Sequence, residues 1–205
     1  MKRGHIELFI GPMTSGKSTE MMLRVSRYTH AGGQPLIIRF AMDNRYSGGR
    51  KGLATSHDQM TMSAISVASD GLCLDKIDGL KEANVVGIDE GQFFNGLANF
   101  CDTLASMGKI VIVAALDSTF ERKPFQETMN LIPLAEKVVK MHGVCVGCQE
   151  DASFSRRLGD NKELIDIGGD DKYICVCRSC FTAPIDQEKL DKRKQSVELI
   201  LQMRK

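Results

Sequence analysis

I-E-L-F-I-G-P-M-T-S-G-K-S-T, residues 6–19, decides the fold. Its first five residues, apolar but for Glu7, with a β-branched start and an aromatic, read as a buried strand that breaks at Gly11. After Gly16 the chain resumes as a polar, helix-permissive segment. Between them stands G-x-x-x-x-G-K-S, filled by Gly11, Pro12, Met13, Thr14, Ser15, Gly16, Lys17 and Ser18. Glycines at that spacing let backbone N–H groups converge on phosphate oxygens where a helix begins with its positive dipole end. Lys17 can then reach the outer phosphates and the Ser18 hydroxyl can ligate Mg²⁺. Strand, loop and helix in that order mark a nucleotide-phosphate loop.

Working outward, residues 18–31 carry apolar side chains at Met21, Met22, Val25 and Tyr28, a helical spacing that stops at Gly32 and Gly33. Residues 36–40 form a second apolar run, so strand, helix and strand follow at once and predict an α/β fold with a mostly parallel sheet flanked by helices. Residues 65–68, 85–89, 109–116 and 137–141 read as further strands, and 97–107 as a helix stopped by Gly108. Residues 41–62 show little periodicity, and G-G-R-K-G at 48–52 reads as a mobile loop. The sequence divides into a P-loop NTPase-like part (1–142), a small cysteine-bearing, zinc-ribbon-like lid domain (143–183) and a charged helical tail (184–205). Leu190, Val197, Ile200 and Leu201 predict that the tail docks through one stripe.

Composition narrows the class. The 205 residues are 42% hydrophobic with no Trp and 11 Met, enough for an aliphatic, Met-rich core. A net charge of +1 gives no electrostatic case for nucleic acid or an anionic membrane. No apolar run approaches a membrane span and the start M-K-R-G-H lacks a signal-peptide core, which predicts a soluble, cytoplasmic protein. Of seven cysteines, four cluster late, a pattern that suits metal better than a secreted disulfide framework.

A phosphate loop needs a carboxylate at the end of a neighbouring buried strand to organise Mg²⁺, and Asp89 after V-V-G-I fits. Successive side chains leave a strand on opposite faces, so Glu90 is expected to point elsewhere and to take a proton from an attacking hydroxyl or water; the alternative is that it starts the next loop. Asp43-Asn44-Arg45 is either a clamp on the transferred phosphoryl group or a surface turn. His57 reads as a cap or loop residue. Cys145-x-x-Cys148 and Cys177-x-x-Cys180 can share one tetrahedral structural Zn²⁺, with disulfides or free thiols as the alternative. Cys175 is a competing thiol, while Cys73 and Cys101 read as buried thiols. The excursion L-I-D-I-G-G-D-D-K-Y, residues 164–173, is either a lid or a plain hairpin.

G-P-M-T-S-G-K-S-T, D-N-R-Y-S, I-D-E-G-Q-F-F, A-L-D-S-T-F-E-R-K-P-F, the two knuckles and G-G-D-D-K-Y, in one order across residues 4–180, resemble the thymidine kinases of the cellular and poxviral type. The resemblance implies ATP-dependent phosphorylation of thymidine, and of deoxyuridine, at the 5′-hydroxyl to give dTMP, with feedback inhibition by dTTP and a homotetramer, or a dimer. It implies Glu90 as general base, with Lys17 and Arg45 on phosphates, Asp43 beside them, and Ser18, Asp89 and Gln92 around Mg²⁺ and its waters. It places the nucleoside among Met13, Phe93, Leu116, Phe120, Phe125 and Tyr173, with backbone groups of Leu164, Ile165, Asp166, Ile167 and Gly168 reading the base. Against the commonest family pattern, Thr14 stands where an aromatic is frequent and Ser118 where glycine is. The competing readings are a nucleotide-switched binding protein and an ATPase in which Glu90 activates water.

Overall fold

A computed structural model describes residues 4–42, 53–55, 60–159 and 172–203. Its centre is a six-stranded sheet built from β1 (His5–Gly11), β2 (Pro35–Phe40), β5 (Ile65–Val67), β6 (Val85–Ile88), β7 (Ile110–Leu116) and β8 (Lys137–Lys140). Their spatial order is β5-β2-β6-β7-β1-β8, and every neighbouring pair is parallel. Parallel pairing puts the carboxyl ends of all six strands on one edge, where α/β folds gather their functional groups.

Both faces of the sheet are covered, which is why its strands read as continuous apolar runs. Alternation along β1 sends Ile6, Leu8 and Ile10 to one face and Phe9 to the other; along β7 it separates Val111, Val113 and Ala115 from Ile112 and Ala114. Helix α1 (Lys17–His30) covers the second face through Met21, Met22 and Val25, all fully buried. Helix α2 (Leu97–Ser106) covers the first through Leu97, Cys101 and Leu104, and α3 (Gln126–Leu131) adds Leu131. The Met pair is core filling, as its spacing predicts. Cys101 is fully buried, whereas Cys73 is only half-buried.

The sequence missed a short antiparallel hairpin inside 41–62, formed by β3 (Leu53–Thr55) and β4 (Thr61–Ser63). Three-residue strands are too short to display a period. Ala54 of this hairpin joins the core on the α1 side. Asp43, Arg45, His57 and the 48–52 loop lie outside the described residues, as do Leu164, Ile165, Asp166, Ile167 and Gly168.

After β8 the chain forms two small antiparallel ladders: β9 (Gly143–Val144) with β10 (Asp151–Ala152), and β11 (Phe154–Arg157) with β12 (Tyr173–Val176). Helices α4 (Arg178–Thr182) and α5 (Gln187–Met203) complete it. The docking expected of the tail is seen at its first turns: Leu190 is buried against the cysteine-rich cluster and Lys189 Nζ donates to the Gly147 carbonyl at 2.8 Å. Farther along, Leu199 is 59% exposed. The side chains of Val197, Ile200 and Leu201 lie outside the described residues. No described helix is long and apolar enough to cross a membrane.

Lys109, at the mouth of β7, is buried with its ammonium under three carbonyls, those of Leu80 (2.8 Å), Lys81 (3.1 Å) and Ala83. Hydrogen bonds to a charged donor are worth about 1.5–3 kcal/mol each, and buried carbonyls left without a donor are destabilising. Lys109→Met is therefore expected to cost about 2–4 kcal/mol in urea unfolding. A loss under about 1 kcal/mol would show that the carbonyls find other donors at no cost.

Candidate active site

The loop after β1 is shaped by backbone conformations that few side chains tolerate. Gly11 has φ 148°, and a Cβ there would sit 2.4 Å from the Met141 carbonyl oxygen. Gly16, in the left-handed region at φ 81°, opens α1, so the helix N-terminus faces the loop. Thr14 is also left-handed, at φ 58°, the kind of strain that collects at functional sites. Ser15 Oγ donates to the Pro12 carbonyl at 2.9 Å, and Lys17 Nζ donates to the same carbonyl at 2.6 Å. Burial pushes the Lys17 ammonium below its ordinary pKa, and the carboxylates of Glu90, Asp89 and Asp117 partly oppose that. Bound phosphate would add negative charge in the same place and favour the cation further.

Asp89 and Glu90 follow β6, across β7 from the phosphate loop. Ser18 Oγ donates to Asp89 Oδ1 at 2.7 Å, and the Glu90 N–H donates to the same oxygen at 3.0 Å. The two carboxylates do separate, but strand alternation is not the reason. The strand ends at Ile88, and Glu90 adopts a left-handed conformation, φ 55° and ψ 42°, at the start of a short 3-10 turn over Gly91–Phe93. Gln92 is buried in that turn. Its Nε2 donates to the Glu90 carboxylate, and its Oε1 accepts the Leu116 N–H at 2.8 Å. The amide expected near Mg²⁺ thus spends both ends aligning Glu90 on β7. Asp117, the next residue after β7, is buried and paired with Lys140 Nζ at 2.9 Å.

Four of the six residues assigned to the nucleoside fall into two groups. Phe93 packs on Phe40 with ring planes tilted by 32° and centroids 5.0 Å apart, and meets Phe125 edge-on at 6.2 Å. Phe120 and Tyr173 both border the Arg157 guanidinium. Leu116 ends β7 at the same sheet edge, and Met13 is buried in the loop. Sequence reasoning missed Ser155, whose Oγ accepts the Met13 N–H at 2.9 Å across 142 residues of chain. Ser155 and Arg157 are the buried alternate pair of β11, opposite Cys175 and Tyr173 respectively. The only signal in the sequence is the alternation within F-S-R-R, too short to assign a face.

The four knuckle sulfurs of Cys145, Cys148, Cys177 and Cys180 lie within 4.8 Å of one another. Metal–sulfur bonds of about 2.3 Å give a tetrahedron with edges of about 3.8 Å, so the set can hold a Zn²⁺ ion. Burial raises the Cys145 thiol, but backbone N–H groups of Cys177, Cys148 and Gly147 outweigh it and bring the value to about 6. Cys180 is pushed up to about 12, first by hydrogen bonds to the sulfurs of Cys177 and Cys145. Cys180 thus keeps a proton that a metal would displace, whereas Cys145 already favours the thiolate. Cys175 stands outside the set: its thiol is buried, accepted by the Ala152 carbonyl at 3.8 Å and pushed up to about 11 chiefly by burial.

Sheet order, phosphate loop and four-cysteine module define a P-loop α/β protein with a zinc-ribbon-like appendage. A family model described as thymidine kinase matches residues 4–181, and the chain belongs to the thymidine kinase family. It is 50% identical over 182 residues to the thymidine kinase of Rabbit fibroma virus (strain Kasza), covering 88% of this chain and 98% of that one. It is 49% identical over 181 residues, with the same coverage, to the thymidine kinases of Vaccinia virus (strain Western Reserve) and Monkeypox virus. Among solved structures it is similar to the flagellar accessory protein FlaH from Methanocaldococcus jannaschii, with a TM-score of 0.47 and 12% identity over 80% of this chain and 76% of that one.

Protein purified without added metal is expected to carry about one zinc per chain by atomic absorption. Cys148→Ser should lower that occupancy and raise the KM for nucleoside, because β11 and β12 hang from the knuckles. Unchanged kinetics after proven loss of metal would show that the module does not shape the site.

Proposed function

We propose that this chain transfers the γ-phosphoryl group of ATP to the 5′-hydroxyl of thymidine, and of deoxyuridine, giving dTMP. The observation that carries this reading is the Glu90–Gln92–Leu116 chain of hydrogen bonds, which aims a carboxylate beside a phosphate loop at one sheet edge. Glu90 takes the proton of the 5′-hydroxyl as its oxygen bonds to the γ-phosphorus, and the bond to the ADP oxygen breaks. Lys17 and the N-terminus of α1 hold the phosphates, joined by Arg45 from the segment after β2, with Asp43 beside it in the cofactor site. Ser18 and Asp89, already sharing a hydrogen bond, present adjacent oxygens to Mg²⁺, which would neutralise phosphate charge.

Met13, Phe93, Leu116, Phe120, Phe125 and Tyr173 enclose the nucleoside, and backbone groups of Leu164, Ile165, Asp166, Ile167 and Gly168 read the base edge. Peptide groups on a closing segment tie specificity to closure, which also keeps water from the phosphoryl group. Residues 1–142 act as the catalytic domain, 143–183 as the zinc-held lid and 184–205 as its brace. Feedback by dTTP follows from chemistry: it carries the product's nucleoside and a triphosphate, and so can fill both halves of the site. Assembly into a tetramer, or a dimer, is supported by the edge position of β8, where Val138 is exposed. A cytoplasmic setting suits seven cysteines with no disulfide between them.

A panel assay with ATP, Mg²⁺ and each nucleoside, read by product mass, tests the reading. Thymidine should stimulate ATP consumption strongly over background, and absence of a phosphorylated pyrimidine nucleoside would overturn it. Glu90→Gln is expected to retain ATP and thymidine binding while kcat falls by about 10²–10⁴. A loss below about tenfold would remove Glu90 as the base.

A further inference from the structure

The buried face of β11 carries a group that the phosphoryl-transfer reading leaves without a task. Arg157 is 8% exposed, unusual for a side chain that is charged at every working pH. Its guanidinium lies 4.0 Å from the centroid of the Phe120 ring and 5.1 Å from that of Tyr173, and Nη2 donates to the Tyr173 hydroxyl. A planar cation at 4.0 Å from a ring centroid lies on the ring face, where the quadrupole attracts it, and the attraction strengthens as water is excluded.

The two rings come from different parts of the chain. Phe120 belongs to the loop after β7, which is closed by a bridge between Ser118 and Pro124. Tyr173 begins β12, directly across the ladder from Arg157. Tyr173 is thus placed by the ladder, and Phe120 is held against the same guanidinium from the sheet side. Two positions along the same strand, Ser155 holds the Met13 amide of the phosphate loop. One face of one short strand therefore contacts three of the residues assigned to the nucleoside.

We propose that Arg157 is a positioning residue for the nucleoside: it fixes the distance and tilt between Phe120 and Tyr173, and so makes nucleoside affinity depend on the cysteine module. This inference rests on the reading of that pocket as the nucleoside site. Arginine suits the task because its planar fork can stack on a ring and donate in its own plane together. Lysine offers a point charge and methionine neither charge nor donor.

The test uses the full chain with its zinc retained. Arg157→Met is expected to raise the KM for thymidine by about tenfold and Arg157→Lys by about threefold, with the KM for ATP and kcat at saturating thymidine close to wild type. Tyr173→Phe, which keeps the ring and loses the hydroxyl, should fall between Arg157→Lys and wild type. Thymidine KM within twofold of wild type in every folded Arg157 variant, or a matching rise for ATP, overturns the proposal. A second arm needs no substrate. With 4-fluorophenylalanine incorporated, the Phe120 fluorine signal, assigned through Phe120→Leu, should shift in Arg157→Met and Arg157→Lys; an unmoved signal overturns the positioning role. If wild type phosphorylates no thymidine, the functional reading falls while the fluorine signal still decides whether Arg157 places the ring.

Discussion

The hydrogen bond from Ser18 to Asp89 joins the first turn of α1 to the end of β6, although β7 lies between β1 and β6 in the sheet. It exists because parallel pairing delivers the ends of β1, β6 and β7 to one edge within side-chain reach. The loops that carry Lys17, Asp89, Glu90 and Phe120 all leave the sheet at that edge. The loop after β1 supplies a glycine-bounded turn at a helix N-terminus, the turn after β6 supplies carboxylates, and the loop after β7 supplies aromatic rings. Burial of both sheet faces holds these ends in register, so the groups are presented by a rigid base although each sits on a turn.

The cysteine module completes this site at close quarters. β11 uses its two faces for different work. Ser155 and Arg157 look toward the phosphate loop and the pocket rings. On the other face Phe154 meets Phe181 edge-on at 5.9 Å, and Arg156 donates to the Cys180 and Ala183 carbonyls at 3.0 and 2.6 Å. Arg122, from the same loop as Phe120, lies 4.4 Å from the centroid of the Phe181 ring. Cation–ring contacts therefore cross between loop and module in both directions, and the cysteine knuckles and the loop after β1 form a continuous set of contacts.

What could be read from residues alone depended on whether a signal was local. β1 and β7 were legible because a strand buried on both faces leaves an unbroken apolar run, and Gly11 and Gly16 because their backbone admits little else. The knuckles were legible from spacing. Glu90 was expected to diverge from Asp89 by alternation, and it diverges instead through a left-handed backbone that a glutamate does not advertise. Gln92 as the partner of Glu90, and Ser155 as the partner of Met13, depend on pairings between distant segments that no window of sequence contains. Arg157 reads as one more surface cation until the register with Tyr173 buries it. The β3–β4 hairpin was too short to leave a period.

The pairing of β1 has a consequence for the order in which a growing chain can be finished. β1 leaves the ribosome first, yet its two neighbours are β7 and β8, made more than a hundred residues later. Its loop must then wait for Ser155 to receive the Met13 amide. The earliest segment synthesised is thus among the last completed. A chain that stopped after β8 would hold all six strands of the sheet and none of the strand that meets Met13. The contact that Ser155 makes with the Met13 amide is in this way withheld until nearly the whole polypeptide has emerged, and a shortened product would carry the glycine motif without it.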